Sequence, residues 1–288
     1  LLLIGVVVLT ARVLAELGGG PLSGLAVLLD QLDAELLVLI PDKSADELQM
    51  WLGWIVIGVF ANTATQDLVQ RMFSAKSSRT AERATIAAGV LYIVFGMFPV
   101  LLGLAGSLLL DDAISVGVIP ALAEQLFSPT LSVIFALTLT AAVTSSVDSG
   151  LLAPAAVFAR NIAGPVLRER VSLITLTRLS VVGIAAISAG MAMSGTRAFE
   201  LIQSTYSLTL PSFIVLAAAV YHKNTRELPG IVTLGVGLGL WCYEIVGNIV
   251  TSDGEPELLS PGFPVILFGS CFLVYWATHW LVTRIEQE

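Results

Sequence analysis

The sequence predicts an all-α integral membrane protein, and three observations support that prediction. Only 12% of the 288 residues are charged, 56% are apolar, and the mean hydropathy is +0.89. A soluble domain carries about 25% charged residues, so this chain lacks the charged shell that a soluble fold of its length requires. Disorder is excluded as well, because it requires low hydrophobicity and high charge. Long apolar runs without the alternation of barrel strands favour helices over a β-barrel.

Eight apolar runs approach the length of about 20 residues that a helix needs to cross hydrocarbon. They cover residues 1–17, 48–65, 84–109, 130–157, 172–194, 199–220, 229–250 and 262–283. The first run starts at the first residue without a preceding Met, and it lacks the basic start and small-residue cleavage site of a signal peptide. We therefore expect one transmembrane domain over 1–288 that is N-terminally incomplete.

The charges of the connecting segments alternate in sign along the chain. Residues 66–83 and 158–178 hold four Lys or Arg each, whereas 18–47 and 110–129 are acidic. Because Lys and Arg mark the cytoplasmic side, the pattern predicts cytoplasmic loops at 66–83 and 158–171. It also predicts cytoplasmic termini for this segment of a multi-pass protein of the cell membrane. The acidic excess lies on the outer face and argues against a nucleic-acid partner. The lipid bilayer is the expected partner of the apolar surface.

One segment, residues 21–40, has the pattern of a helix that lies on the membrane instead of crossing it. Its leucines recur at helical spacing, and acidic residues stand between them. These leucines are Leu22, Leu25, Leu28, Leu29, Leu32 and Leu36. The segment is predicted to form an extracellular amphipathic helix.

The strongest functional candidates lie inside the run 130–157, because polar groups within hydrocarbon are costly and mark functional sites. Four small residues share one helix face at i, i+3, i+4 and i+7 spacing: Ala142, Ser145, Ser146 and Ser149. Their hydroxyl and carbonyl oxygens suit a hard monovalent cation. The alternative is tight helix packing, with each hydroxyl bonded to the preceding turn. Asp148 favours a cation site, because a carboxylate at mid-membrane needs a cation, a proton or an Arg partner.

Two further polar stretches are candidates for a solute site. The short run 48–65 contains Gly58 and becomes polar abruptly at Asn62, and transporters unwind such interrupted spans to expose backbone groups. The alternative is an ordinary capped helix end. The run 199–220 contains Gln203 beside Pro211, which removes a backbone hydrogen bond and favours a kink. Its alternative is a turn at the outer interface.

The remaining polar residues are more ambiguous. Arg12 either pairs with Glu16 one turn away or faces the cavity and holds a substrate carboxylate. Tyr92 is polar only at its tip and is compatible with packing. His222 and His279 are expected to be too few and too far apart for a metal site, and the two cysteines have no metal spacing.

Three segments resemble the sodium:solute symporter family. Gln66–Arg71, followed by Ala75–Ser77, is similar to the family's "QR…AK" loop. Ala141–Ser149 and its continuation to Asn161 resemble the "AA-x-x-SS-x-x-S" helix, and Phe199–Pro211 resembles the helix after the next. The family's C-terminal consensus is met in part, since Pro229 and Gly230 stand where a Gly-Ala pair is usual.

The resemblance implies a LeuT-type fold, in which two inverted repeats of five helices form the core. It assigns the first run to the end of the first repeat, the next five runs to the second repeat and the last two to accessory helices. It also implies that the missing N-terminal helices of the same protein complete the core.

The resemblance further implies a sodium ion bound by the hydroxyls of Ser145 and Ser146 and the carbonyl of Ala142, with the other ligands on the missing first core helix. Asp148 receives no role from the family and stays a sodium-site candidate on its chemistry alone. The positions where family members contact substrate correspond to Gly58 through Asn62, Tyr92 and Gln203.

Together these features predict a sodium-coupled symporter of a small organic solute, such as an amino acid, an organic acid or a sugar, and no enzymatic activity. Arg12 would favour a carboxylate, whereas a neutral solute suits Asn62 and Gln203. Two alternatives stay open: a proton-coupled transporter that uses Asp148, and a membrane sensor module of a signalling protein. A serine hydrolase is disfavoured, because both histidines lie at the membrane edge, far from the serines.

Overall fold

The structure is a computed structural model that describes residues 1–41, 44–110, 117–167, 170–193, 198–222, 224–251 and 258–285. Within these residues the chain is 88% helical and contains no strand, which confirms the all-α prediction. The helices are α1 (Leu2–Gly18), α2 (Pro21–Gln31), α3 (Ala45–Val56), α4 (Gln66–Phe73), α5 (Ser78–Leu109), α6 (Val118–Leu126), α7 (Pro129–Phe158), α8 (Gly164–Val166), α9 (Leu173–Met193), α10 (Ala198–Tyr221), α11 (Glu227–Thr251) and α12 (Phe263–Ile285).

Among the described residues, six helical segments are long and apolar enough to cross a membrane. They are α5, α9, α10, α11, α12 and the continuous stretch Pro129–Val166, in which α7 runs through a π-helical turn into α8. A seventh crossing is reached if α1 and α2, bent by 68° at their junction, form one span. The expected count of eight is therefore not confirmed.

Two predicted runs are not among the six segments. The run 1–17 forms α1, which enters the count only with α2, and in the run 48–65 the helix does not continue through to residue 65. Regular α-helix ends at Val56, a π-helical turn follows over Ile57–Ala61, and a 3-10 turn covers Asn62–Ala64. Apolar composition alone does not reveal this change of backbone. We call residues 57–64 the broken segment.

Glycines explain the bend between α1 and α2. Gly19 ends α1 in the left-handed region at φ 76°, where its amide donates to the Ala15 carbonyl, and Pro21 begins α2. Gly24 then lies against the backbone of Leu14, where a side chain would collide. The lack of a Cβ at this position lets α2 fold back closely on α1.

The helices pack into two compact units. Unit 1 comprises Leu1–Leu39 and Ser74–Gly150, and unit 2 comprises Ile40–Phe73 and Leu151–Glu288. The centre of unit 1 joins α1, α2, α5 and α6 through leucines that are fully buried: Leu9, Leu28, Leu102 and Leu122.

Unit 2 is built around α10, α11 and α12. Leu267 and Cys271 of α12 are fully buried beside Ile214 of α10, and Gly237 of α11 lies against Pro211. A third of the most apolar part of α10 is buried, compared with 6% for α5, α7 and α9. Helices with such bare surfaces are compatible with lipid, which is as apolar as their side chains.

The segments predicted to lie outside the membrane are mostly helical. In the predicted surface helix 21–40, α2 ends at Gln31 and a 3-10 turn covers Ala34–Leu37. Over 66–83, α4 is followed by α5. The Ser77 hydroxyl caps the start of α5, since it accepts a hydrogen bond from the Thr80 amide at 3.2 Å. Within 158–171 lie the π-helical turn Ala159–Ala163 and α8.

Candidate functional site

The candidate cation ligands lie on an intact stretch of α7. The Ser146 hydroxyl donates to the Ala142 carbonyl over 3.2 Å, and the Ser149 hydroxyl donates to the Ser145 carbonyl over 3.4 Å. These are the bonds to the preceding turn that simple helix packing predicts. A hydroxyl that donates its proton still has lone pairs for a cation, so the bonds are compatible with both interpretations.

The Ser146 hydroxyl and the Ala142 carbonyl lie 3.2 Å apart because they share a hydrogen bond. Neighbouring ligands of a cation with oxygen bonds of about 2.4 Å lie at a similar separation of about 3.4 Å. Ser145 and Ser146 are exposed in unit 1, and Ala142 is half-buried. The face therefore presents two exposed serines beside a carbonyl that accepts one of their hydroxyls.

Asp148 belongs to a neighbouring part of the same helix surface. At about 100° of rotation per residue, its direction lies about 60° from Ser145 and farther from Ser146. The side chain is exposed. Asp148 is thus adjacent to the face of the two serines and not part of it.

Tyr92 and Arg12 lie on exposed surfaces of unit 1. Tyr92, in the middle of α5, is 80% exposed. Arg12 and Glu16 of α1 are both exposed, although the neighbouring residues Leu9 and Val13 are buried. Within the described part of the chain no ion pair joins Arg12 to Glu16.

Gly58 and Asn62 lie within the broken segment of unit 2. Gly58 is exposed in the π-helical turn, and a Cβ there would have no neighbour within 4 Å. Asn62 is exposed as well, and its carbonyl accepts both the amide and the hydroxyl of Thr65, at 3.3 and 2.8 Å. π-helical turns occur frequently at functional sites, which agrees with the interrupted span that the sequence indicated.

Gln203 is half-buried one turn after the start of α10, and its carbonyl accepts the Ser207 hydroxyl at 2.9 Å. The next residue anchors α10 to α11, because the Ser204 carbonyl accepts the indole N–H of Trp241 at 2.9 Å. Pro211 is fully buried. The polar stretch around Gln203 is therefore part of a packed helix and not a turn.

Unit 2 also contains interactions that sequence reasoning missed. Thr209 donates a hydrogen bond to the Ala61 carbonyl in the broken segment, at 3.0 Å. Phe60 stacks on Phe268 at 4.8 Å and contacts Phe213 at 4.9 Å. The polar stretch on α10 was visible in the sequence, but the partner of Thr209 lies 148 positions away and only the fold supplies it.

The two histidines correct another expectation. His222 and His279 were expected to be far apart, yet their ring centroids are only 4.7 Å apart. Phe213 and Phe268, farther back on α10 and α12, are also neighbours at 6.4 Å, so the two helices run in the same direction and bring both histidines to one end. The described residues contain no group of three or more His, Cys, Asp or Glu that could hold a metal.

The candidate residues thus fall into two sets. Unit 1 carries Arg12 and Tyr92 together with the α7 face, and unit 2 carries Gln203 and the broken segment. Within unit 1 the structure brings Ala142 together with Ser145 and Ser146, and within unit 2 it brings the broken segment together with α10.

Comparison with known proteins adds the decisive finding. The sequence model of the sodium:solute symporter family matches residues 1–229. The match runs from α1 to the first residues of α11, so it includes α7, α10 and the broken segment. No curated protein matches the chain.

Proposed function

Because the chain belongs to the sodium:solute symporter family, we propose that it moves a small organic solute across the cell membrane together with sodium by alternating access. The family consists of membrane transporters and not of enzymes. The observation that carries the proposal is the family match, which spans the α7 serines and the broken segment. In this proposal the serines provide oxygen ligands for an ion, and the broken segment provides backbone groups for a solute.

Sodium is proposed to bind at the hydroxyls of Ser145 and Ser146 and the carbonyl of Ala142. All three are neutral oxygens, which suit a hard cation that must be released again. The hydrogen bond from the Ser146 hydroxyl to the Ala142 carbonyl is compatible with this assignment, because the hydroxyl keeps lone pairs for an ion. Asp148, beside this face, is proposed to favour the cation by its charge.

Gly58, Asn62, Tyr92, Gln203 and Arg12 are proposed as solute contacts. Exposed backbone at an interrupted helix offers donors and acceptors that a regular helix does not. An amino acid, an organic acid or a sugar would each find partners in this set, and a guanidinium would add preference for a carboxylate.

Transport itself requires no covalent chemistry. Sodium binding favours one conformation of the protein, the solute binds to that conformation, and rocking of one part of the bundle against another opens the other side. With cytoplasmic termini as the charge pattern predicts, sodium enters down its gradient. The membrane potential adds about 2.3 kcal/mol per charge for each 100 mV.

The solute class can be found by thermal unfolding of the purified protein with panels of amino acids, organic acids and sugars. We expect one class to raise the unfolding temperature in sodium and to do so less in choline, because ligands that bind only the folded state stabilise it.

Uptake of that solute into liposomes then tests the coupling. We expect uptake to stop when choline replaces sodium, and to stop in the variant Ser145→Ala with Ser146→Ala. Uptake that survives choline and is lost in Asp148→Asn would show proton coupling instead.

A further inference from the structure

A side-chain hydrogen bond joins the broken segment to α10. The Thr209 hydroxyl lies 3.0 Å from the carbonyl of Ala61, the last residue of the π-helical turn. The same hydroxyl lies 2.7 Å from the carbonyl of Tyr206, one turn back in its own helix. A threonine hydroxyl has one proton, so the two carbonyls compete for it.

Apolar groups surround this partly buried bond. Ala61 and Leu210 are fully buried, Thr209 is half-buried, and the Phe60 ring packs against the rings of Phe213 and Phe268. A hydroxyl that loses its partner away from water is costly. If the hydrogen bond to the Ala61 carbonyl breaks, the proton of Thr209 stays bonded to the Tyr206 carbonyl. The broken segment can therefore separate from α10 without leaving the hydroxyl unpaired.

We propose that Thr209 is a positioning residue that holds the broken segment against α10. The segment is released when the Thr209 hydroxyl transfers its hydrogen bond from the Ala61 carbonyl to the Tyr206 carbonyl. This inference rests on the proposed function, in which the broken segment faces the solute and moves during transport. The proposed role of Thr209 is to set how often the segment leaves α10. The residue acts through Ala61 and does not touch the solute.

The test measures exposure of the broken segment directly. A single thiol is introduced by Ile57→Cys, at a buried position of the broken segment that packs with Leu210 of α10, into the native transporter, with Cys242 and Cys271 replaced. Its rate of reaction with a soluble maleimide is measured in sodium. Thr209→Val keeps the shape of the side chain and removes the hydroxyl. We expect it to speed labelling roughly fivefold, the change in an equilibrium that the loss of one net hydrogen bond produces.

The chain provides matched controls. Thr205→Val removes a hydroxyl one turn earlier on α10 that bonds only to Leu201 of its own helix, at 2.8 Å and in an exposed position. Thr209→Ser restores the hydroxyl. Both are expected to label within about twofold of the protein with Thr209 and Thr205 intact. If Thr209→Val does not fold, Thr209→Ala removes the hydroxyl without placing a methyl group against the Ala61 carbonyl, and it must show the same acceleration.

Labelling in Thr209→Val or Thr209→Ala that is unchanged or slower, or that equals the rate of Thr205→Val, overturns the proposal. Because no transported solute is used, this result is independent of the coupling test. An unmodified protein that shows no sodium-dependent uptake would contradict the proposed function. The ratio of labelling rates between Thr209→Val and the unmodified side chain could still be interpreted.

Discussion

Hydroxyl side chains make different hydrogen bonds in two regions of the molecule, α7 and α10. Along α7, Thr140, Thr144 and Ser146 each donate to the carbonyl four residues earlier in the same helix, and all are exposed. On α10, the Thr209 hydroxyl reaches out of its helix to Ala61. The first region is a regular helix with exposed hydroxyls. In the second region a hydroxyl of α10 bonds to the broken segment, which packs against that helix.

The difference shows what each region can do. A helix that satisfies its own backbone keeps its shape when a ligand leaves, which agrees with the proposed binding of a small ion at Ser145 and Ser146. The broken segment has lost regular backbone pairing, so its position depends on packing against α10 and α12. Substitutions should therefore have small effects on stability in α7 and large effects around α10.

The largest difference is expected between two glycines. Gly237 of α11 is buried, and a Cβ there would lie 2.8 Å from the Pro211 Cβ and 3.2 Å from the Cys271 Sγ. We expect Gly237→Ala to lower the free energy of unfolding by about 1–3 kcal/mol, because the helices must move apart. Thermal unfolding in detergent, followed by circular dichroism, measures this loss.

Gly150 of α7 is the control, since a Cβ there would have no neighbour within 4 Å. Gly150→Ala is expected to leave stability unchanged or to raise it by up to about 1 kcal/mol through helix propensity. Equal losses for the two variants would contradict the contrast between a packed and an open region.

A smaller effect is expected from the link between α11 and α10. Trp241→Phe keeps a ring and removes the indole N–H that bonds to the Ser204 carbonyl. The expected loss is about 1 kcal/mol, the net contribution of one hydrogen bond, measured by the same thermal unfolding. Trp280→Phe is the matched control, because the Trp280 ring is half-exposed and faces the Arg284 guanidinium at 4.3 Å. A larger loss in the control would refute the assigned role of Trp241.

The smallest effect is expected in α7. Thr144 points away from the two serines, and its hydroxyl bonds to the Thr140 carbonyl at 2.8 Å in an exposed position. Thr144→Val should change the free energy of unfolding by less than about 0.5 kcal/mol and should leave sodium-dependent uptake intact. A loss of uptake here would mean that the functional face of α7 has been misidentified.

Apolar runs predicted six of the spanning segments because their signal is local. A run of apolar residues that is nearly long enough to span the membrane indicates a helix without any knowledge of its tertiary contacts. The start of α5 at Ser78 was missed by six residues, since its first turn is polar and depends on the Ser77 cap. The run 48–65 looked like a span by composition, and only Gly58 and the polar residues from Asn62 onward indicated a break. The type of break, a π-helical turn followed by a 3-10 turn, depends on packing against α10.

The candidate ligands on α7 could be selected from the sequence because helical spacing alone places them on one face. The contacts of Thr209 with Ala61 and of His222 with His279 could not, since each joins residues that are distant in the chain. Tertiary packing decides such pairs, and no periodicity in the sequence encodes them.

The most direct test of the sodium assignment is equilibrium binding of radioactive sodium to the purified native transporter, without any solute. The account predicts saturable binding to the unmodified protein and to Thr144→Val, and its loss in the variant Ser145→Ala with Ser146→Ala. Thermal unfolding of the double variant provides the check that it is folded. Sodium binding of unchanged affinity in a folded double variant would contradict the assignment.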